Sequence, residues 1–150
     1  MKSSLFAFLL AGAAAAASAQ VPVQPNPDHE QMLASASPAL AANKRLVYDL
    51  QREVLEAGHL ELAAKYLAED YIQHNPNVPT GRAGFVEFFS KFAKPSEIAP
   101  RVKTPIVSIV AEGDIVVISF RSQAGDSTWF DMFRIKNGKV AEHWDPMTRQ

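Results

Sequence analysis

The hydrophobic period of this chain changes once, and the change divides it into two parts that need different backbone geometry. From Pro38 to Glu56 the apolar residues Leu40, Val47, Leu50, Val54 and Leu55 fall at helical spacing among Asn43, Lys44, Arg45, Asp49, Gln51, Arg52 and Glu53. Pro38 suits a first helical turn and Gly58 a stop. A second, shorter helix is expected from about His59 to Leu67, and a loop marked by Pro76 and Pro79 then carries His74 and Asn75. A third helix is expected from Arg82 to Phe92, where Phe85, Phe88, Phe89 and Phe92 recur at i, i+3, i+4 and i+7 as a core-packing stripe. Beyond Pro95 and Pro100 the pattern becomes strand-like. Val102 to Val110, Ile115 to Ser122, Thr128 to Ile135 and Lys139 to Asp145 read as four strands. Turns at Glu112-Gly113-Asp114, Gln123 to Ser127 and Lys136-Asn137-Gly138 separate them. Helices followed by an antiparallel meander define an α+β class.

The N-terminus follows a different logic. Lys2, an apolar run from Leu5 to Ala17 and the small-residue end Ala17-Ser18-Ala19 are the parts of a secretory signal peptide, with cleavage expected after Ala19. From Gln20 to Ser37 the chain is polar and proline-rich, which predicts a flexible linker ahead of a domain spanning residues 38–150. No other apolar stretch is long enough to cross a membrane, so no membrane partner is expected after cleavage. The chain has 15 Lys and Arg against 16 Asp and Glu, and loss of Lys2 leaves 14 against 16, a balance that gives no footing for nucleic acid. With no cysteine, disulfide and thiolate chemistry are excluded. There is no glycine-rich phosphate loop, serine nucleophile elbow or HExxH motif.

The chemistry concentrates in the last hairpin. If Lys136-Asn137-Gly138 forms a three-residue loop, Ile135 pairs with Lys139, Phe133 with Ala141, Asp131 with His143 and Trp129 with Asp145. One face then carries Trp129, Phe133, Ile135 and Ala141 around Asp131, His143 and Asp145. The other carries Phe130, Met132, Arg134, Val140, Glu142 and Trp144. A two-residue Asn-Gly turn would shift the pairing by one and separate Asp131 from His143. Two carboxylates and an imidazole in an apolar surround are costly to bury unless bonded to one another, to water or to a ligand, and such surroundings favour acid–base chemistry. The same residues also fit a cross-strand ion pair on a solvated face. Imidazole and carboxylate together suit zinc or ferrous iron, yet with no HxH pair and no tight ligand cluster no metal is expected. Arg82 and Lys91 fit either an anion-binding role or the solvated side of the third helix.

Three stretches, "DYIQHNPNVPTGRAGFVEFF", "AEGDIVVISF" and "FDMFRIKNGKVAEHWD", together resemble the SnoaL-like polyketide cyclases of the nuclear transport factor 2-like superfamily, in particular the branch of SnoaL-like aldol-condensation enzymes. The resemblance runs from about Leu46 to Pro146. It implies an α+β cone, with N-terminal helices packed on a strongly curved, mainly antiparallel sheet enclosing a pocket. It also implies cofactor-free proton transfer next to a carbonyl, with Asp145 as the acid/base residue, Asp131 and His143 as polar pocket groups and His74 closing the pocket. Asn75, Trp129, Phe133 and Phe89 would contact the substrate. Members of the branch often carry a histidine on the middle strand where this chain has Ile118-Ser119-Phe120-Arg121.

Two readings follow. One is a cofactor-free cyclase, lyase or isomerase acting on a small carbonyl compound. The other is an exported, non-catalytic protein that holds an apolar small molecule in the same pocket. A homodimer through the outer sheet face is expected, since Phe130, Met132, Val140 and Trp144 would otherwise be wet.

Overall fold

A computed structural model describes residues 21–123 and 127–148 of the 150-residue chain. The signal-like stretch to Ala19 and the centre of the Gln123 to Ser127 turn lie outside the described residues.

The expected long helix forms as helix α2 (Pro38–Asp49) and continues without a break into a π-helical segment (Leu50–Glu56). The Ser37 hydroxyl caps α2 by accepting from the Leu40 amide, and Pro38 occupies the first turn, where its missing N–H costs nothing. The wider π-turn, with i→i+5 bonds such as Ala57 N–H to Arg52 C=O, brings residues five apart nearly onto one face. Leu50 and Leu55 consequently line the same cavity. Gly58 ends the segment at φ +74°, and a Cβ there would meet the Lys94 carbonyl oxygen at 2.8 Å, so only glycine fits. A short 3₁₀ turn (Leu60–Leu62) leads into helix α3 (Ala63–Tyr66).

Five strands follow the order β1-β5-β4-β3-β2 in one open, curved sheet: β1 (Leu67–Gln73), β2 (Ile106–Glu112), β3 (Ile115–Arg121), β4 (Thr128–Lys136) and β5 (Lys139–Trp144). The four strands of the C-terminal half pair antiparallel, as the turns require. Strand β1 is the departure from a plain meander. The stretch after the second helix is not merely a lead-in to a loop but pairs parallel to β5, with Gln73 opposite His143. Its Ala-Glu-Asp centre has poor strand propensity, and the register shifts between Leu67 and Ile72, so the period-2 signal is broken.

The core lies between the helices and the inner sheet face, with Val47, Tyr48, Leu67, Ile106, Val116, Ile118 and Val140 fully buried. Helix α4 (Arg82–Ser90) is shorter than expected, and its phenylalanine stripe is only partly core. Phe85 is buried and Phe89 packs against the core, but Phe92 lies beyond the helix end and is 69 % exposed. Among the described residues Glu53 is the one charged group counted as buried, and Tyr66, Lys65 and Arg52 all donate to it. Burial opposes its ionisation, but the Tyr66 and Lys65 bonds win and hold the carboxyl below its ordinary range. Burial, together with that bond, pushes the Tyr66 phenol up to about 12.

The proline-rich stretch is also more ordered than a linker. Helix α1 (His29–Leu33) is capped by Asp28, and Met32 and Leu33 enter the core. His29 Nδ1 lies 2.7 Å from the Tyr48 hydroxyl, within hydrogen-bond distance, and the same hydroxyl accepts from the Val102 amide. Lys44 closes the helix from outside by donating to the Met32 and Ala34 carbonyls. Two apolar residues in an otherwise polar stretch were enough to dock it. Replacing Leu33 with alanine should therefore cost about 2–4 kcal/mol, read as a lower urea midpoint with an unchanged slope. A variant as stable as the parent would return this segment to the role of a tether.

Candidate active site

The final hairpin brings the polar groups together by a route other than the expected one. Asn137 and Gly138 both have positive φ, 52° and 69°, and form a two-residue turn in which Lys136 pairs with Lys139 and Ile135 with Val140. By itself that register would turn His143 away from Asp131. An extra residue, Ala141, intervenes before Arg134 pairs with Glu142 and Phe133 with His143. The bulge restores the parity, so Asp131, Phe133, His143 and Asp145 all face inward. It also corrects two assignments. Val140 belongs to the core, and Ala141 lines an outer groove with Arg134 and Glu142.

These residues floor a cavity of about 210 Å³ beneath the helices. Leu50, Leu55 and Val78 line its aliphatic part, and Phe85, Phe89, Trp129 and Phe133 its aromatic part. The polar residues are Tyr71, Gln73, Asn75, Asp131, His143 and Asp145. The expected contacts Asn75, Trp129, Phe133 and Phe89 are therefore all present at the cavity.

The hydrogen bonds fix the orientation of each polar group. Gln73 donates through Nε2 to the Tyr71 hydroxyl at 2.9 Å and accepts through Oε1 from the Asn75 amide at 3.0 Å. That assignment makes Oε1 an acceptor for His143 Nδ1 as well, at 2.8 Å, so Nδ1 carries hydrogen and Nε2 is the open edge. Asp131 Oδ1 lies 3.5 Å from Nε2 and accepts from the Trp129 indole at 2.9 Å, and Asp145 Oδ2 lies 4.0 Å from Nδ1. Asp145 is the more tightly held carboxylate, since Oδ2 accepts from Asn75 Nδ2 at 2.8 Å and Oδ1 from the Met147 amide at 2.9 Å. Oδ2 of Asp131 has no partner among the described residues. The side chains of His143, Asp131 and Asp145 are 12, 17 and 7 % exposed.

Tyr71 is the main addition to the expected set. Its hydroxyl accepts from Gln73, and its own hydrogen has no acceptor among the described residues. Burial, reinforced by the charges of Asp145 and Asp131, pushes the phenol well above the ordinary tyrosine range, so it remains a donor. The signal that could have found Tyr71 and Gln73 is their period-2 spacing with Asn75, which becomes visible only once β1 is read as a strand.

His74 does not close the cavity. Its amide donates to the His143 carbonyl, which aims the side chain at the opposite sheet face. There it stacks on Trp144 at 4.7 Å and bonds Glu142 at 3.2 Å, within a surface network that includes Arg134 and Asp114. Arg82 donates to the Leu67 carbonyl and Lys91 is exposed; neither lines the cavity. The expectation that no tight ligand cluster exists also needs revision. One donor atom each from Asp131, His143 and Asp145 lie within 4.8 Å of one another, a set chemically suited to a divalent cation. The two carboxylates approach different ring nitrogens, however, an arrangement better suited to holding an imidazole than to wrapping one ion.

The fold has known counterparts. A crystal structure of a polyketide cyclase candidate from Acidithiobacillus ferrooxidans superposes with a TM-score of 0.53 at 21 % identity, covering 75 % of this chain and 89 % of the other. A ketosteroid isomerase candidate from Kribbella flavida gives 0.50 at 19 % identity, covering 73 % and 81 %. At such identities the likeness speaks for the fold. No curated protein matches the chain significantly. The sequence pattern of the SnoaL-like domain matches residues 47–143, from the last turn of α2 to the cavity histidine, and the chain therefore belongs to the SnoaL-like domain family, with the nuclear transport factor 2-like fold.

Proposed function

We propose that the cavity carries out cofactor-free acid–base chemistry on a small carbonyl compound. The observation that carries this reading is the convergence, in a largely apolar cavity, of a carboxylate oxygen with no partner among the described residues (Asp131 Oδ2), an open imidazole edge (His143 Nε2) and a phenol donor (Tyr71). Asp131 takes a proton from the carbon next to the carbonyl, and the electron pair of the broken C–H bond moves toward the carbonyl oxygen. Tyr71 donates a hydrogen bond to that oxygen as its charge grows. The enolate then attacks a second carbonyl in the same molecule, closing a ring as the oxygen of that carbonyl takes the proton back from Asp131, or it takes the proton back at another carbon, which is isomerisation. His143 lies between the carboxylates and can pass the proton on. Asp145, the base suggested by the family resemblance, is the orienting carboxylate in this scheme because protein donors already occupy both its oxygens.

A second reading draws on the same bonding. The cavity floor satisfies much of its polarity internally, which would equally suit a protein that binds an apolar molecule without converting it. Hydrogen–deuterium exchange at the acidic carbons of 2-tetralone, followed by NMR, separates the two. The parent protein should accelerate exchange, and Asp131→Asn should lower the acceleration about 100-fold or more, with Tyr71→Phe also slowing it and His74→Ala leaving it unchanged. Equal rates for the parent and Asp131→Asn would leave only the binding role.

We also propose that the protein is exported and forms a homodimer. Export rests on the N-terminal pattern and predicts a mature chain beginning at Gln20, checked by intact mass of the protein recovered outside the cytoplasm; retention of Met1 to Ala19 would contradict it. The dimer rests on the outer sheet face, where Ile72, Val110 and Phe130 are 43, 56 and 50 % exposed. Light scattering should give a mass near twice that of one chain, and a single-chain mass at micromolar concentration would contradict the pairing.

A further inference from the structure

The cavity differs in two ways from one that would take a large or charged substrate. Its volume, about 210 Å³, lies between the ~150 Å³ of an apolar cavity that holds benzene and the ~300–1,000 Å³ of sites for drug-sized molecules. Among the described residues no lysine or arginine lines it, whereas two carboxylates do. A ligand carboxylate placed there would meet like charges, with no lysine or arginine among the described lining residues to offset them. A neutral ketone meets a phenol donor for its oxygen and a carboxylate oxygen for its acidic hydrogen.

The size limit has an identifiable wall. A second cavity of about 360 Å³, lined by Gln51, Thr104, Phe120 and residues of the β3 end, shares two lining residues with the first, Trp129 and Asp131. The indole thus lies at the boundary between the two spaces. Its recorded polar anchor is the 2.9 Å bond from Nε1 to Asp131 Oδ1. Strand pairing holds the backbone, with Trp129 opposite Phe120, so the bulk of the side chain sets the boundary.

We infer that the site selects uncharged ketones of one or two rings, and that Trp129 is the residue that excludes larger ones by closing the inner cavity off from the second. This inference rests on the acid–base reading of the site for the kind of ligand, but the selection itself is a matter of binding. With Trp129 trimmed, the two spaces join and a four-ring ketone fits across them with its carbonyl end at Tyr71 and Asp131.

Calorimetric titration tests this with three probes: 2-tetralone, 2-naphthoate of similar size but negative charge, and the four-ring ketone androst-4-ene-3,17-dione. The parent protein should bind 2-tetralone at least tenfold more tightly than 2-naphthoate and should give no saturable heat with the steroid. Trp129→Ala should acquire steroid binding, and Asp131→Asn should narrow the gap between 2-tetralone and 2-naphthoate. Circular dichroism checks that each variant is folded, and Trp129→Phe, a smaller trim, serves where the alanine variant is not. Failure of the parent to bind 2-tetralone, equal binding of 2-naphthoate, steroid binding by the parent, or exclusion of the steroid by the folded Trp129 variants would each overturn the inference. A protein that ranks the probes as stated yet exchanges no hydrogens of 2-tetralone keeps the selection and loses the catalysis, so the two failures are distinct.

Discussion

The arrangement of this site depends on one extra residue in a hairpin. A two-residue turn at Asn137-Gly138 suits the right-handed twist of β4 and β5, but it alone would point His143 outward. The bulge at Ala141 reverses the parity after a single core pair, Ile135 with Val140, has formed. The hairpin thereby keeps both a favourable tight turn and an inward-facing imidazole. Because backbone pairing imposes it, the side-chain arrangement of the floor is set before any ligand arrives.

Facing inward creates a polar burden that the neighbouring strand relieves. Two carboxylates and an imidazole under an apolar roof would be costly if left unpaired. Parallel pairing of β1 with β5 brings Gln73 level with His143, and Asn75 follows within reach of Asp145. Trp129 supplies the last donor, to Asp131. What this bonding leaves without a hydrogen-bond partner among the described residues, one oxygen of Asp131, one nitrogen of His143 and the Tyr71 hydrogen, is what the cavity presents to a ligand. Stability and reactivity draw on the same bonds, with Asp145 supporting and Asp131 open.

Much of this was legible in the sequence, for local reasons. The α+β order, the long helix from Pro38 to Glu56 and four of the five strands follow from periodicity and turn residues, which act over a few positions. So did the inward grouping of Asp131, His143 and Asp145, although through a three-residue turn in place of a two-residue turn plus bulge; both give the same parity. What escaped needed distant partners. Strand β1 is specified by its pairing with a strand 70 residues later more than by its Ala-Glu-Asp composition, and Tyr71 and Gln73 were hidden with it. The family resemblance alone placed His74 at the pocket; strand alternation sends it to Trp144 instead. Helix α1 docks through only two apolar residues, too few to stand out against the prolines around it.

The most direct test of the account is the protonation tautomer of His143, read from its ring nitrogens by long-range ¹H–¹⁵N NMR at a pH where the imidazole is neutral. The bonding to Gln73 requires hydrogen on Nδ1 and a bare Nε2 whose shift moves when 2-tetralone is added, while His74 stays unperturbed. A proton on Nε2, or a ketone that perturbs His74 and leaves His143 untouched, would mean that the imidazole does not face the cavity as described.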